Sequence, residues 1–221
     1  MRRIVGAAFT SLDGVMQAPG GPSEDPTGGF QKGGWIAPLW DEQVDAVIGK
    51  LFGQPFDLLL GRRTYDIFAS YWPYVGDDQK DIRDPFNAAT KYVVTHDEQP
   101  LAWENSVRVA AIGDLAAVKQ GDGPDLVIQG STTLYPQLLD AGLLDEVTLM
   151  MFPLVLGTGK RWFGDGTPPT TLRPTQQSIT SRGTVIATYE PAGAVETMAI
   201  APPSTSDRES VRQAAMAEGS W

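Results

Sequence analysis

Phe56-Asp57-Leu58-Leu59-Leu60-Gly61-Arg62-Arg63-Thr64-Tyr65-Asp66-Ile67-Phe68 is the stretch that decides how this chain folds. An apolar run of strand length ends at a single glycine, and a helical pattern starts at once. Strand, tight turn and helix start form the repeating unit of parallel sheets. At such a junction free backbone N–H groups and the positive end of the helix dipole face one point, and both favour an anion. Arg62, Arg63 and the Thr64 hydroxyl stand at the same place, and a guanidinium suits planar, bidentate contact with phosphate. Against a net charge of -10 over 221 residues, this positive spot stands out. The plain structural alternative is a Thr N-cap beside two solvated arginines.

Outward from this junction the same grammar recurs. Residues 3–10 read as a buried first strand, and residues 41–52 as a helix. Its residues Val44, Val47, Ile48, Leu51 and Phe52 share one face, with Asp41 as N-cap. Strands are expected at 89–95, 106–110 and 125–129, and helices at 112–119 and 132–141. A long strand at 145–153 precedes an antiparallel pair at 171–180 and 184–190. Alternating strands and helices imply an α/β fold in three layers, with a mostly parallel central sheet and an antiparallel C-terminal edge hairpin. Residues 11–34 form a long loop rich in Gly, Pro and acidic side chains. With little to pack, its part at 18–34 is expected to be mobile without ligand and to close over a substrate. The composition divides the chain into a domain at 1–191 and an accessory tail at 192–221. In the tail, 202–206 read as linker and 207–217 as a short helix without a full apolar face.

Composition removes several chemistries. There is no cysteine, which excludes disulfides, thiolate metal sites and cysteine nucleophiles. The one histidine, His96, rules out a multi-histidine metal centre and reads as a loop residue after a strand. No Gly-x-Ser-x-Gly elbow supports a serine triad, so no metal and no hydrolase are expected. An acidic chain argues against nucleic acid and anionic membranes as partners. The apolar run after Arg2-Arg3 is too short for a signal sequence or a membrane span. A cytoplasmic location is expected, and the absence of cysteine fits it.

Three strand-to-turn points line up along one sheet edge: Gly61 to Thr64, Val94-Thr95, and Gly130-Ser131-Thr132 after Leu126-Val127-Ile128-Gln129. Ligands of open α/β sheets sit at such edges. Further matching residues are Ser11-Leu12-Asp13-Gly14, Lys91-Tyr92-Val93-Val94-Thr95 and Gly142-Leu143-Leu144-Asp145-Glu146-Val147. The run from Pro153-Leu154-Val155-Leu156 through Gly157-Thr158-Gly159-Lys160-Arg161-Trp162-Phe163 completes the set. In this order, over residues 1–190, the chain resembles the dihydrofolate-reductase-like superfamily. It is most similar to the C-terminal reductase domain of the bifunctional riboflavin-biosynthesis deaminase-reductase, in its stand-alone bacterial form.

The resemblance implies NADPH as cofactor and hydride donor. By position, Gly61, Arg62, Arg63 and Thr64 would hold the adenosine phosphates, and Thr95 would lie near the adenosine ribose. Gly130, Ser131 and Thr132 would bind the pyrophosphate, while Ala7, Asp13 and Gly14 would border the nicotinamide. Chain and family differ in places. Ser131 stands where the family often has a second glycine. In Trp35-Ile36-Ala37-Pro38-Leu39-Trp40-Asp41 the carboxylate comes one residue later than folate reductases place it, which argues against folate. Asp13 and Asp41 are the candidate acids, with a turn residue and a plain N-cap as their alternatives. Trp35 and Trp40 are the tryptophans placed to stack on a flat substrate. The expected function is NADPH-dependent reduction of a small pyrimidine- or pterin-like heterocycle or a carbonyl compound. It is related to 5-amino-6-(5-phosphoribosylamino)uracil reductase, and the expected assembly is a homodimer. The alternative is a non-catalytic NADP(H)-binding protein that keeps the fold.

Overall fold

Six of the eight strands run parallel before the sheet reverses at its end. The structure, a computed structural model, describes residues 1–164, 166–202 and 204–220. Strands β1 (Ile4–Ser11), β2 (Phe56–Gly61), β3 (Lys91–Val94), β4 (Ser106–Val109) and β5 (Asp125–Gln129) are joined by β6 (Glu146–Phe152), β7 (Leu172–Ile179) and β8 (Val185–Pro191). Their order is β4-β3-β2-β5-β1-β6-β8-β7. Pairing is parallel from β4 through β6, and β8 and β7 add antiparallel strands. This is the mostly parallel sheet with an antiparallel C-terminal hairpin that the strand pattern implied.

Helices cover both faces. On one side α1 (Glu42–Phe52), α2 (Arg62–Ala69) and α3 (Lys80–Ala88) pack Val44, Tyr65 and Phe86 against Val5, Ala7, Leu58, Leu60 and Val127. On the other, α4 (Leu115–Gln120) and α5 (Leu134–Asp140) pack Leu115, Leu134, Tyr135 and Leu138 against Ile4, Ala8, Leu59 and Ile128. Coverage on both faces explains the apolar runs Leu58-Leu59-Leu60 in β2 and Leu126-Val127-Ile128 in β5. Gly6 in β1 is required by this packing: a Cβ there would lie 2.6 Å from the Tyr135 ring. At the amino ends of the strands, buried Arg2 is paired with Asp57 at 2.5 Å and donates to the Pro124 carbonyl.

Two sequence expectations need correction. Helix α3 was not foreseen, because Pro85 lies inside it and only Ile82 and Phe86 carry its apolar face. The 11–34 loop is not loosely packed. Ala18, Asp25 and Phe30 are buried. The Gln17 amide donates to the Asp25 and Thr27 carbonyls, and the Trp35 indole donates to the Gln17 carbonyl. Lys160 pairs with Asp25, and backbone bonds from Leu12 to Leu154, Met16 to Lys160 and Trp162 to Gly14 zip the loop to residues 153–163. Its order comes from these partners rather than from its own composition.

The tail carries α6 (Asp207–Ala217), capped by the Ser206 side chain and with no buried residue. The expected linker at 202–206 includes Pro203, which lies outside the described residues. No helix among the described residues is long and apolar enough to cross a membrane.

Candidate functional site

The carboxyl edge of the sheet brings two turns together. Gly61 ends β2 and is the N-cap of α2, with no side chain capping that helix. Gly130 and Ser131 follow β5, and α5 likewise begins without a side-chain cap. The turns brace one another: the Gly61 N–H donates to Ser131 Oγ at 3.0 Å, and the Ser131 N–H donates to Thr64 Oγ1 at 3.0 Å. Thr64 is therefore a cross-brace and not the N-cap of its helix. Gly130 has φ +72°, and a Cβ there would meet the Thr64 side chain at 3.2 Å. Ser131 also adopts a left-handed conformation, φ +57°, which a non-glycine residue enters at a cost of about 1–2 kcal/mol. Its hydroxyl bond to Gly61 offsets that cost and gives this serine a use that glycine could not serve. Thr132, half-buried, lies next in the turn.

The two arginines differ. Arg62 is held by Asp66 in a fork of 2.9 and 3.0 Å, and it donates to the Gln99 carbonyl. Arg63 is exposed and makes no hydrogen bond or ion pair among the described residues. Thr95, buried just beyond β3, accepts from the Asp97 N–H, while His96 is exposed. Ala7 is fully buried in β1, in register with Gln129 of β5. Gly14 holds the Trp162 N–H on its carbonyl.

Both candidate acids are engaged in hydrogen bonds. Asp13 accepts from the Ser11 hydroxyl and from the Leu156 and Gly157 N–H groups. The Ser11 bond, with these backbone bonds, overcomes desolvation and holds its carboxyl at about 2. It is ionised at neutral pH and ties the 11–16 turn to residues 154–157. Asp41 caps α1 through the Gln43 and Val44 N–H groups. Its other oxygen accepts from Ser181 and Arg182 of the β7–β8 turn. Desolvation raises its carboxyl, but hydrogen bonds from Thr180, Val44, Arg182 and Ser181 outweigh that and leave it below the ordinary value. Both carboxylates serve the structure.

The two tryptophans also part. Trp35 is buried edge-on to Phe152 and lies beneath the site. Trp40 is half-exposed, meets Phe9 edge-to-face at 5.5 Å and donates to Asp45. Phe9, Trp40, Val47 and Ile48 form a partly exposed apolar wall on the α1 side, of which the sequence did not single out Phe9. Among the described residues no group of three or more His, Cys, Asp or Glu could hold a metal ion.

Known proteins match this architecture. The model of the RibD C-terminal domain matches residues 2–188, so the chain belongs to that family. The Bacillus subtilis (strain 168) protein YyaP is 25% identical over 199 residues, covering 85% of this chain and 94% of that one. A putative riboflavin biosynthesis protein from Shewanella sp. PV-4 superimposes with a TM-score of 0.61 at 21% identity, covering 86% of this chain and 99% of the other. A pyrimidine reductase-like protein from Corynebacterium diphtheriae gives 0.57 at 14% identity, over 86% and 92% of the two chains. Enterococcus faecalis dihydrofolate reductase, complexed with NADP(H), gives 0.53 at 14% identity, over 86% and 96%. These likenesses establish the dihydrofolate-reductase-like fold.

Proposed function

We propose that this member of the RibD C-terminal domain family is an NADPH-dependent reductase of a small pyrimidine- or pterin-like heterocycle or a carbonyl compound, akin to 5-amino-6-(5-phosphoribosylamino)uracil reductase. One observation carries the reading: the braced pair of turns at 61–64 and 130–132, where two uncapped helix starts share one sheet edge beside an uncommitted Arg63. A dinucleotide presents a pyrophosphate and a phosphorylated ribose in line, and such an edge offers matching donors. Family membership and the NADP(H) complex of the enterococcal reductase support the same choice.

Bound NADPH supplies the hydride; the chain supplies position and dryness. In this reading Gly130, Ser131 and Thr132 hold the pyrophosphate, and Gly61 to Thr64 with Thr95 hold the adenosine end. Ala7 and Gly14 border the nicotinamide, and the Phe9–Trp40–α1 wall receives a flat substrate. Water delivers the proton, because Asp13 and Asp41 are both committed elsewhere. The working unit is the 1–191 domain, as a cytoplasmic homodimer. Titration with both cofactors tests the reading: NADPH binds at least tenfold more tightly than NADH, the effect of about one charge-assisted hydrogen bond. Equal affinities would sink it.

The commitment of both carboxylates favours a second reading, a non-catalytic NADP(H)-binding protein. NADPH binding without oxidation across a panel of aminouracils, pterins and small carbonyl compounds would select it.

A further inference from the structure

The last three strands of the sheet, β6, β8 and β7, are covered unevenly. One surface of β6 and β8 turns Met150 and Ile186 into the core beneath α1. The other continues from Val147, which packs on the α5 side. Strand alternation puts Leu149 and Met151 on that second surface. Register carries it outward, since Tyr189 pairs with Val147 and Val185 with Met151, while Pro174 pairs with Tyr189 and Ile179 with Val185. Leu149, Met151, Val185 and Tyr189 are only half-buried, and Pro174 and Ile179 are exposed, Ile179 by 69%. Gln177 is the polar exception, and no side chain on this surface of the three strands is charged. Arg173 and Glu190 stand on the opposite surface and pair with each other. In a chain with 20% charged residues, such a depletion marks the centre of an association surface rather than a solvated face.

We propose that this β6–β8–β7 surface is the contact between two copies of the chain, packed sheet on sheet around a two-fold axis. The chain's own tail follows β8 directly, yet α6 buries no side chain, so the cover comes from another molecule. Charge favours a second copy. Each molecule carries a net charge of -10, and two of them can approach closely only where like charges are absent from both sides. A two-fold axis sets the same patch against itself, and an uncharged apolar patch is complementary to its own copy. Twisted sheets stack about 10 Å apart with their strands about 30° from parallel, which brings Ile179 and Tyr189 of each copy into the contact. The inference rests on the homodimer expected in the reading above and adds where it closes; it does not depend on the cofactor.

The experiment is sedimentation of the full chain at about 100 μM, where a contact of micromolar dissociation constant is nearly saturated. Wild type should sediment as a dimer, and its melting temperature should rise with protein concentration. Ile179→Glu sets a carboxylate into the contact on both copies and should give a monomer whose melting temperature is independent of concentration. Ile179 is exposed, so the fold should survive, which far-UV circular dichroism checks. Gln177→Lys, exposed on the same surface, replaces it should the first variant fail to fold. Ser178→Glu is the control: Ser178 is equally exposed on β7 but pairs with Ile186 and so faces the other way, and this variant should remain a dimer. A monomeric wild type overturns the proposal and leaves the surface to the tail or to a different protein. A dimer that survives Ile179→Glu overturns it too. Loss of the dimer in Ile179→Glu and Ser178→Glu alike moves the contact to the free edge of β7 and rejects the sheet-on-sheet arrangement. NADPH is titrated into the same samples, so a failed dimer and a failed cofactor site are read apart.

Discussion

Single residues at this site separate by whether their hydrogen bonds are already used. Asp13 has three donors on its two oxygens, so Asp13→Asn acts on the fold. It should cost about 2 kcal/mol at neutral pH, as for lost bonds to a charged group, and leave NADPH affinity within a factor of about two. The pH dependence has a definite sign. The folded carboxyl sits at about 2 against an ordinary 3.8, so its stabilisation is full above about pH 4 and disappears as pH falls towards 2. Melting curves across that window should steepen for wild type relative to Asp13→Asn; parallel curves would refute the assignment. The arginines diverge for the same reason. Arg62 begins bound to Asp66, whereas Arg63 has no partner among the described residues to give up. Arg63→Ala should therefore weaken NADPH about tenfold or more while NADH changes less, and Arg62→Ala should show the smaller effect. A larger loss for Arg62→Ala in the same fluorescence titration would reverse that ranking.

Elements meet here through residues far apart in the chain, and that limit shaped what the sequence could reveal. Each turn was legible by itself, since an apolar strand, a glycine and a helical pattern are local. Their mutual brace was not: Ser131 reaches Gly61 across 70 positions and Thr64 across 67. The same holds for the long loop. Its Gly and Pro content suggests freedom, but Lys160, 135 positions away, pins Asp25. Helix α3 escaped notice because Pro85 and a polar surface masked two apolar positions. Two tests belong to this scale. Ser131→Ala removes the bond to Gly61 and keeps the left-handed strain, whereas Ser131→Gly removes both. Stability should fall in the order wild type, Ser131→Gly, Ser131→Ala, with alanine costing about 1–3 kcal/mol for the unpaired N–H and glycine recovering about 1. Chemical denaturation checks the order, and alanine above glycine would contradict it. For the loop, the amides of Met16 and Gly34, bonded to the Lys160 and Ala18 carbonyls, should exchange slowly without ligand. Rapid exchange at both would restore the mobile lid.

Across the whole molecule, the family match over 2–188 and the sheet end near one another, and the remaining question is where the folded unit stops. Composition put the boundary after Pro191. Hydrogen bonds to the sheet continue past that point: Ala192 donates to the Thr171 carbonyl, Thr171 donates to the Gly193 carbonyl, and the Thr171 hydroxyl donates to the Ala194 carbonyl. These bonds anchor the start of edge strand β7, whose residues after Leu172 are all exposed and which has only β8 beside it. An edge strand held on one side depends on its end contacts more than a central strand does. Beyond Ala194 no comparable bond to the sheet follows among the described residues. Met198 and Ile200 are exposed, and α6 buries no side chain, so its order is the local product of the Ser206 cap and the Glu209–Arg212 pair. The two cuts should therefore differ. A chain ending at Ala194 should melt within a few degrees of the full protein. One ending at Pro191 should lose about 1–3 kcal/mol, the worth of two or three exposed hydrogen bonds, and show faster exchange along β7. If both melt alike, the 192–194 contacts contribute nothing. If the Ala194 chain loses more than about 3 kcal/mol, or changes its state of association, the tail docks on a surface outside its own subunit, and it then belongs to the assembly.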